Sequence, residues 1–249
     1  MQIRQVALVA RELEPVVEDL RAVLGLEVAY RDPGVAVFGL QNAVLPVGDG
    51  FLEVVSPVEP GTTAGRLLEK RGGDGGYMVI VQTTDLDDAQ RRIKALGARM
   101  VWSIDLGDAA AIHLHPRDVG SALLSLDEMR PVESWRWAGP DWQAAVRRER
   151  VQGIAGVELQ CADPEQTAWR WAAVLGIAST STLADAIELT LEATRIRFVS
   201  ERDERGEGLV SVLLRATDPQ VVLAAARERG LPVAGSVVDL CGVRLCLES

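Results

Sequence analysis

Apolar residues in this chain recur at two spacings, and the two alternate in a fixed order. Runs with every second position apolar give way to runs with apolar positions three and four apart, and this happens four times. The stretches are "VALVARELEPVVEDLRAVLGLEVAYRD", "YMVIVQTTDLDDAQRRIKALGARMVWSID", "GVELQCADPEQTAWRWAAVLGIAST" and "LVSVLLRATDPQVVLAAARERGLPVAGSVVD". Each reads as a strand, an acidic helix start and an amphipathic helix. Leu13, Val16, Val17, Leu20 and Leu24 fall on one helical face, as do Leu86, Ala89, Ile93 and Leu96. Asp85 stands where an N-cap is wanted, and Asp163 and Asp218 precede Pro164 and Pro219 in the cap-then-proline order. Gly25, Gly97, Gly176 and Gly230 stand where a left-handed residue closes a helix.

Short strands follow each helix. "NAVLPVGDGFLEVVSP" reads as a hairpin with a type I′ turn at Asp49-Gly50. "AAAIHLHPRDVGSALLSL", "AIELTLEATRIRFVS" and "SVVDLCGVRLCLE" are its counterparts. Each unit therefore reads β-α-β-β-β, and the fold class is α+β with mostly antiparallel strands. The longest break in the repeat, Met129 to Arg150, divides the chain into residues 1–128, a linker over 129–150 that is helical in part after Pro140, and residues 151–249. A length of 249 residues suits two domains. Trp135, Trp137 and Trp142 of the linker are expected to pack between the two halves.

Charge narrows the choice of partner. A net charge of −10 argues against a nucleic acid, whose binding rests on clustered Lys and Arg. No apolar run reaches the ~18–20 residues of a membrane span, and the charged start "MQIRQVALVARELE" is unlike a signal peptide. A cytoplasmic protein is expected. Cys161, Cys241 and Cys246 form no CxxC pair and lie in apolar strand-like runs, as structural thiols of a reducing compartment would. His113 and His115 in "HLH" would share one strand face, but with no third histidine a cupin-type metal site finds no support. "PVEPGTTAGRLLEKRGGDGGY" lacks the phosphate-loop pattern. Thr62 or Thr63 caps a short helix there, which is expected over a cavity mouth with Arg66 near an acidic ligand.

The paired units with "DL…A…LG" helices resemble the vicinal oxygen chelate superfamily, which includes glyoxalase I, extradiol dioxygenases, methylmalonyl-CoA epimerase and the bleomycin and fosfomycin resistance proteins. The resemblance covers nearly all of the chain except the linker. It implies two glyoxalase-like domains, each a pair of units whose curved sheet forms a cup with a divalent metal at its base. Carried over by position, the ligands of the first cup would be Gln5 in "RQVALVA", Glu53 in "GFLEVVSP", Met78 in "YMVIVQ" and Ser125 in "GSALLSLDE". A thioether and a neutral hydroxyl are poor donors for a hard cation. "HPRDVGSALLSL" is similar to the last hairpin of the epimerase-like branch, with Ser125 where that branch has its catalytic Glu. In the second cup the matching positions read Gly156, Arg197, Ser211 and Cys246, so that cup is expected to be smaller, more filled and structural.

Three readings follow. In the first, the N-terminal cup binds a small organic molecule without a complete metal site, lined by Gln5, Asn42, Tyr77, Met78, Ser125 and Arg66, with no resident cofactor. In the second, the chain is a metal-dependent or acid/base lyase, isomerase or dioxygenase, in which Glu53 and His113 move protons. In the third, it is a non-catalytic pseudo-enzyme with its cups filled by side chains. Units of this superfamily pair within a domain or across a dimer, so a homodimer stays open.

Overall fold

Successive side chains of β1 (Gln2–Val9) point to opposite faces, with Val6 and Leu8 under a helix and Ala7 on the other side. The same division runs through both halves of the molecule. The computed structural model describes residues 1–249 and folds them into two sheets. The first contains β1, β2 (Leu40–Val47), β3 (Gly50–Pro57), β4 (Gly75–Gln82), β5 (Met100–Asp105), β6 (Ala109–Leu114) and β7 (Leu123–Met129), in the order β2-β3-β1-β4-β7-β6-β5. The second contains β8 (Val151–Cys161), β9 (Ser181–Thr182), β10 (Ile187–Thr190), β11 (Arg195–Ser200), β12 (Gly208–Ala216), β13 (Val233–Ala234), β14 (Val237–Leu240) and β15 (Val243–Glu248), in the order β13-β14-β15-β12-β8-β11-β10-β9. Each sheet has an antiparallel central pair, β1 with β4 and β8 with β12. Each central strand is flanked by a parallel neighbour from its own unit. The units thus pair within each half.

The helices are α1 (Leu13–Leu24), α2 (Thr63–Lys70), α3 (Leu86–Ala95), the single turn α4 (Pro116–Val119), α5 (Pro164–Leu175) and α6 (Pro219–Glu228). Asp85, Asp163 and Asp218 accept the bonds expected of N-caps, and Thr62 caps α2 through Gly65 N–H at 2.9 Å. Glu12 makes no such bond. Gly25, Gly97, Gly176 and Gly230 are left-handed.

Two expectations need correction. The first unit lacks a strand after its helix. Tyr30 makes one isolated bridge to Val44, and a 3₁₀ turn, Pro33–Phe38, fills the rest. Asp32 caps that turn and Pro33 fixes its first residue, so local polar chemistry overrides the strand-like "VAY". The first hairpin turns one residue earlier than expected. Val47 pairs with Gly50, so Gly48 and Asp49 form the turn, with Gly48 at φ 63°.

The faces carrying the helices share one core of 54 buried residues that spans both sheets, with α1 against α6 and α3 against α5. The backbones also approach closely. A Cβ on Gly76 of β4 would lie 2.4 Å from Leu209 O of β12, and one on Gly48 would lie 1.9 Å from Gln152 O of β8.

Candidate functional site

The site lies on the face of the first sheet opposite the helices. Register sets Glu53 on β3 beside Ala7 on β1 and Val44 on β2, while Leu52 and Val54 point to the helices. Glu53 is buried, and both of its oxygens are engaged. Gln5 Nε2 donates to Oε2 at 2.8 Å and Asn42 Nδ2 donates to Oε1 at 2.6 Å. Their carbonyl ends are also used, since Asn42 Oδ1 accepts from Asp32 N at 2.8 Å and Gln5 Oε1 from Trp135 Nε1 at 2.7 Å. Each amide orientation is thereby fixed by its partners. Burial raises the Glu53 pKa, the two amide donors oppose that, and the Asp32 charge adds to it.

The linker lies here and not between the two halves. Trp135 stacks on Phe51 with ring centroids 5.9 Å apart, and Trp142 meets Phe51 edge-on at 5.0 Å. Trp137 Nε1 donates to Asp127 Oδ2 at 2.6 Å. Trp135 and Trp137 find indole acceptors, and all three tryptophans pack with an apolar floor of Ala7, Val44, Met78 and Ile80 on this face. A bulge in the β1–β4 pairing at Arg4 sends its side chain the same way as that of Gln5. The Arg4 guanidinium lies 5.7 to 5.9 Å from the rings of Phe51, Trp135 and Trp142.

Asp127 was not among the expected residues, although period-2 alternation puts it on the same face as Ser125. Burial pushes its pKa up to about 7, against hydrogen bonds from Ser125 and Trp137 and helped by the Glu53 charge. Ser125 Oγ lies in hydrogen-bonding range of Asp127 and 3.2 Å from Ile112 O. A hydroxyl has one proton to give. Ionised Asp127 takes it; protonated Asp127 donates to Ser125 instead and frees the hydroxyl for Ile112 O.

The remaining expected residues are spread over the face. Met78 is part of the apolar floor. His113 lies tilted against Trp102, with centroids 4.4 Å apart, and stacks with Phe38 at 6.2 Å, with no hydrogen bond to Glu53. Burial lowers its pKa to about 4, so it is neutral at pH 7. His115 does not share its strand face. It lies beyond β6 and caps α4, its Nδ1 accepting from Arg117 N. Tyr77 and Arg66 line a cavity of about 320 Å³ between Val37–Leu40 and the start of α2, together with Thr62 and Thr63. Burial and the nearby Glu53 charge push the Tyr77 hydroxyl up to about 12, with Arg66 opposing. A cavity of about 390 Å³ beside α5 lies off both cups, and its one ionisable lining residue, Glu165, is exposed.

The residues of the first cup do not fit a divalent ion. Glu53 and Gln5 have their oxygens committed to amide and indole donors, Met78 is packed in the floor and Ser125 is bonded to Asp127. No three His, Cys, Asp or Glu side chains converge as a metal site anywhere in the chain. The second cup's matching positions lie in an ion-pair network. Arg197 meets Glu188 at 2.9 Å, Arg244 meets Glu158 at 3.6 Å, Arg195 pairs with Glu248, and Ser211 Oγ donates to Glu158 at 2.7 Å.

Residues 6–175 match the family model described as a glyoxalase-like domain. The chain belongs to that family. This places the protein in the vicinal oxygen chelate superfamily. A curated relative, the ethylmalonyl-CoA/methylmalonyl-CoA epimerase of Cereibacter sphaeroides, is 27% identical over 136 residues, spanning 51% of this chain and 98% of the relative. A Staphylococcus aureus protein of solved structure, described as hypothetical, matches 99% of the chain and 98% of its own length at a TM-score of 0.70 and 11% identity, which extends the shared fold across both sheets. Methylmalonyl-CoA epimerase of Streptomyces coelicolor, solved with 2-nitronate-propionyl-CoA, is 24% identical and covers 54% of this chain and 99% of its own, with a TM-score of 0.48. No helix of the chain is long and apolar enough to cross a membrane.

Proposed function

We propose that the first cup binds a small organic anion of the acyl-thioester class without a transition metal. The observation that carries this reading is the cavity of about 320 Å³ with Arg66 at its rim and Tyr77 on its wall, where Tyr77 feels the charge of the buried Glu53. Its wall mixes apolar Val37, Phe38 and Leu40 with Tyr77, Thr62, Thr63, Arg66 and Glu59, and a few such polar groups around a hollow can orient a small molecule. Arg66 is exposed and bonded to Gly61 O and to Thr63, so it can turn to a ligand acid. The curated epimerase relative makes an acyl-CoA the first ligand to try.

Proton transfer at the carbon next to the thioester carbonyl is the second reading. Glu53 and Asp127 both face this cup, and burial raises the proton affinity of each. A buried carboxylate poised in this way is suited to general base catalysis.

The test is calorimetric titration of metal-free protein with methylmalonyl-CoA, propionyl-CoA and free CoA, followed by deuterium exchange at the α-carbon in D₂O. The expected result is binding of a thioester that weakens roughly tenfold in Arg66→Ala, the scale of one charge-assisted contact. Absence of binding by all three, or stoichiometric metal held through Glu53, would overturn the reading.

A further inference from the structure

We propose that the segment from Pro131 to Val146 is a displaceable strap occupying the first cup in place of its ligand, and that Arg4 beneath it is the anchor for the ligand's anionic group. The inference rests on the reading of this cup as a ligand site. It names what holds the cup closed and what the closed part recognises.

The strap packs Trp135, Ala138 and Trp142 on the apolar floor, pairs Arg136 with Asp108, and also engages buried polar groups of the sheet. Trp135 and Trp137 use their N–H groups on Gln5 and Asp127, and Gln82 Nε2 donates to Val132 O at 2.5 Å. Each of these hydrogen bonds contributes only a modest net stabilisation, because the same groups bond water or a ligand when the strap is away. Gln5, Glu53 and Asp127 form a polar surface that the strap satisfies, as a ligand would. Backbone bonds within the strap are short-range, linking Ser134 to Pro131, Ala138 to Trp135, Gly139 to Arg136, Ala144 to Asp141 and Val146 to Gln143. No sheet ladder or long helix ties it down, so it can lift while both sheets stay intact.

Arg4 supplies the chemistry. Its residue is 6% exposed, yet it takes part in no ion pair. Its one side-chain hydrogen bond is a long one, 3.4 Å to Glu133 O of the strap, and its Nε has no partner. Three aromatic rings surround the cation, and two of them, Trp135 and Trp142, belong to the strap. A buried guanidinium bonded to no carboxylate, with Asp49 acting on it only through its charge and itself paired with Arg148, is a fork prepared for a bidentate anion. Lifting the strap removes the weak carbonyl contact and two rings and exposes that fork beside Gln5. A carboxylate-bearing molecule fits this site better than a neutral one.

Two measurements on the full chain test the proposal. In hydrogen exchange, the amides of Ala138, Gly139 and Val146 should exchange at least ~100-fold faster than those of Val6, Leu8, Val79 and Val81, through an opening that leaves the sheet protected. Exchange of both sets at one rate would make the strap part of the permanent core and overturn the proposal. In titrations, methylmalonyl-CoA should bind more tightly than propionyl-CoA, which lacks the free carboxylate. Trp135→Phe, which keeps the ring and deletes the donor to Gln5, should tighten methylmalonyl-CoA several-fold, because the competent open fraction rises. Arg4→Met should abolish the preference for the carboxylate. Unchanged affinity in Trp135→Phe, or a preference that survives Arg4→Met, would overturn the strap or the anchor respectively and leave the cup reading standing. Failure of every variant to bind either thioester would instead remove the cup reading itself.

Discussion

At the scale of single residues, each oxygen of Glu53 already accepts one amide N–H. Its two oxygens face two amide NH₂ groups, whose own carbonyls are committed to Asp32 N–H and Trp135 N–H. Glu53→Gln would place a third NH₂ against one of them, and a flip of either neighbour would break the next bond along. The variant should lose about 1–3 kcal/mol, the cost of one buried unsatisfied donor, as measured by urea unfolding. A loss within error would show that the network rearranges freely. Asp127 makes a pH prediction of definite sign. Its folded pKa, about 7, lies above the ordinary carboxylate value, so the folded state binds the extra proton. Its contribution is favourable below about pH 4 and is lost as the pH rises through about 7. His113 is shifted the other way, to about 4, so its contribution is lost as the pH falls from about 6.5 towards 4. Asp127→Asn should therefore gain stability relative to the wild type as the pH rises from 5 to 8, seen as a growing Tm difference. A difference that is flat or shrinks over that range would contradict the raised pKa.

At the scale of elements, the helix starts were legible and the closure of the cup was not. Asp85, Asp163 and Asp218 bond to Asp88 N, Gln166 N and Gln220 N, as their spacing before apolar runs implies. Glu12 has the acidic position without the bond, since Ser, Thr, Asp and Asn reach the first-turn amides better than Glu. Alanine at each of the three aspartates should cost about 1 kcal/mol, and Glu12→Ala under about 0.5 kcal/mol, by chemical denaturation. Equal losses at all four sites would mean that helix-end charge and not the cap bond is at work. Gln5 and Glu53 were placed in the cup by the family resemblance, supported for Glu53 by its alternation with Leu52 and Val54, and the folded sheet sets them beside Asn42. The linker could not be placed this way. "ESWRWAGPDW" has no period, and its three tryptophans suit any apolar surface with acceptors. Only the folded sheet brings Gln5 and Asp127, 122 residues apart in sequence, under Trp135 and Trp137. Arg4 was hidden for a related reason. A bulge shifts the alternation by one residue, and register is a property of the pair of strands.

At the scale of the whole molecule, the repeat makes two sheets, but their stability is shared. The buried core runs under the helices of both, and the junction is tightened by backbone contacts. Arg71 Nη1 donates to Glu207 O at 2.7 Å, and Arg205 donates back across the junction, through Nε to Arg71 O at 3.2 Å and through Nη2 to Asp74 O. Each half therefore loses apolar cover and hydrogen-bond partners if the other unfolds, which favours one cooperative transition. Gly76 is the position that tests this. A Cβ there would meet Leu209 at 2.4 Å from both its backbone oxygen and its Cγ, so strands β4 and β12 would have to separate. Gly153 is a fair control, since a Cβ on it meets only the end of Arg215 at 3.5 Å and its φ is not in the left-handed region. Gly76→Ala should cost about 1–3 kcal/mol, the scale of an overpacked interior, and should broaden or split the calorimetric transition, while Gly153→Ala should leave it single. A wild-type protein that already melts in two separate steps, or a Gly76→Ala variant indistinguishable from it, would show that the two sheets are energetically independent.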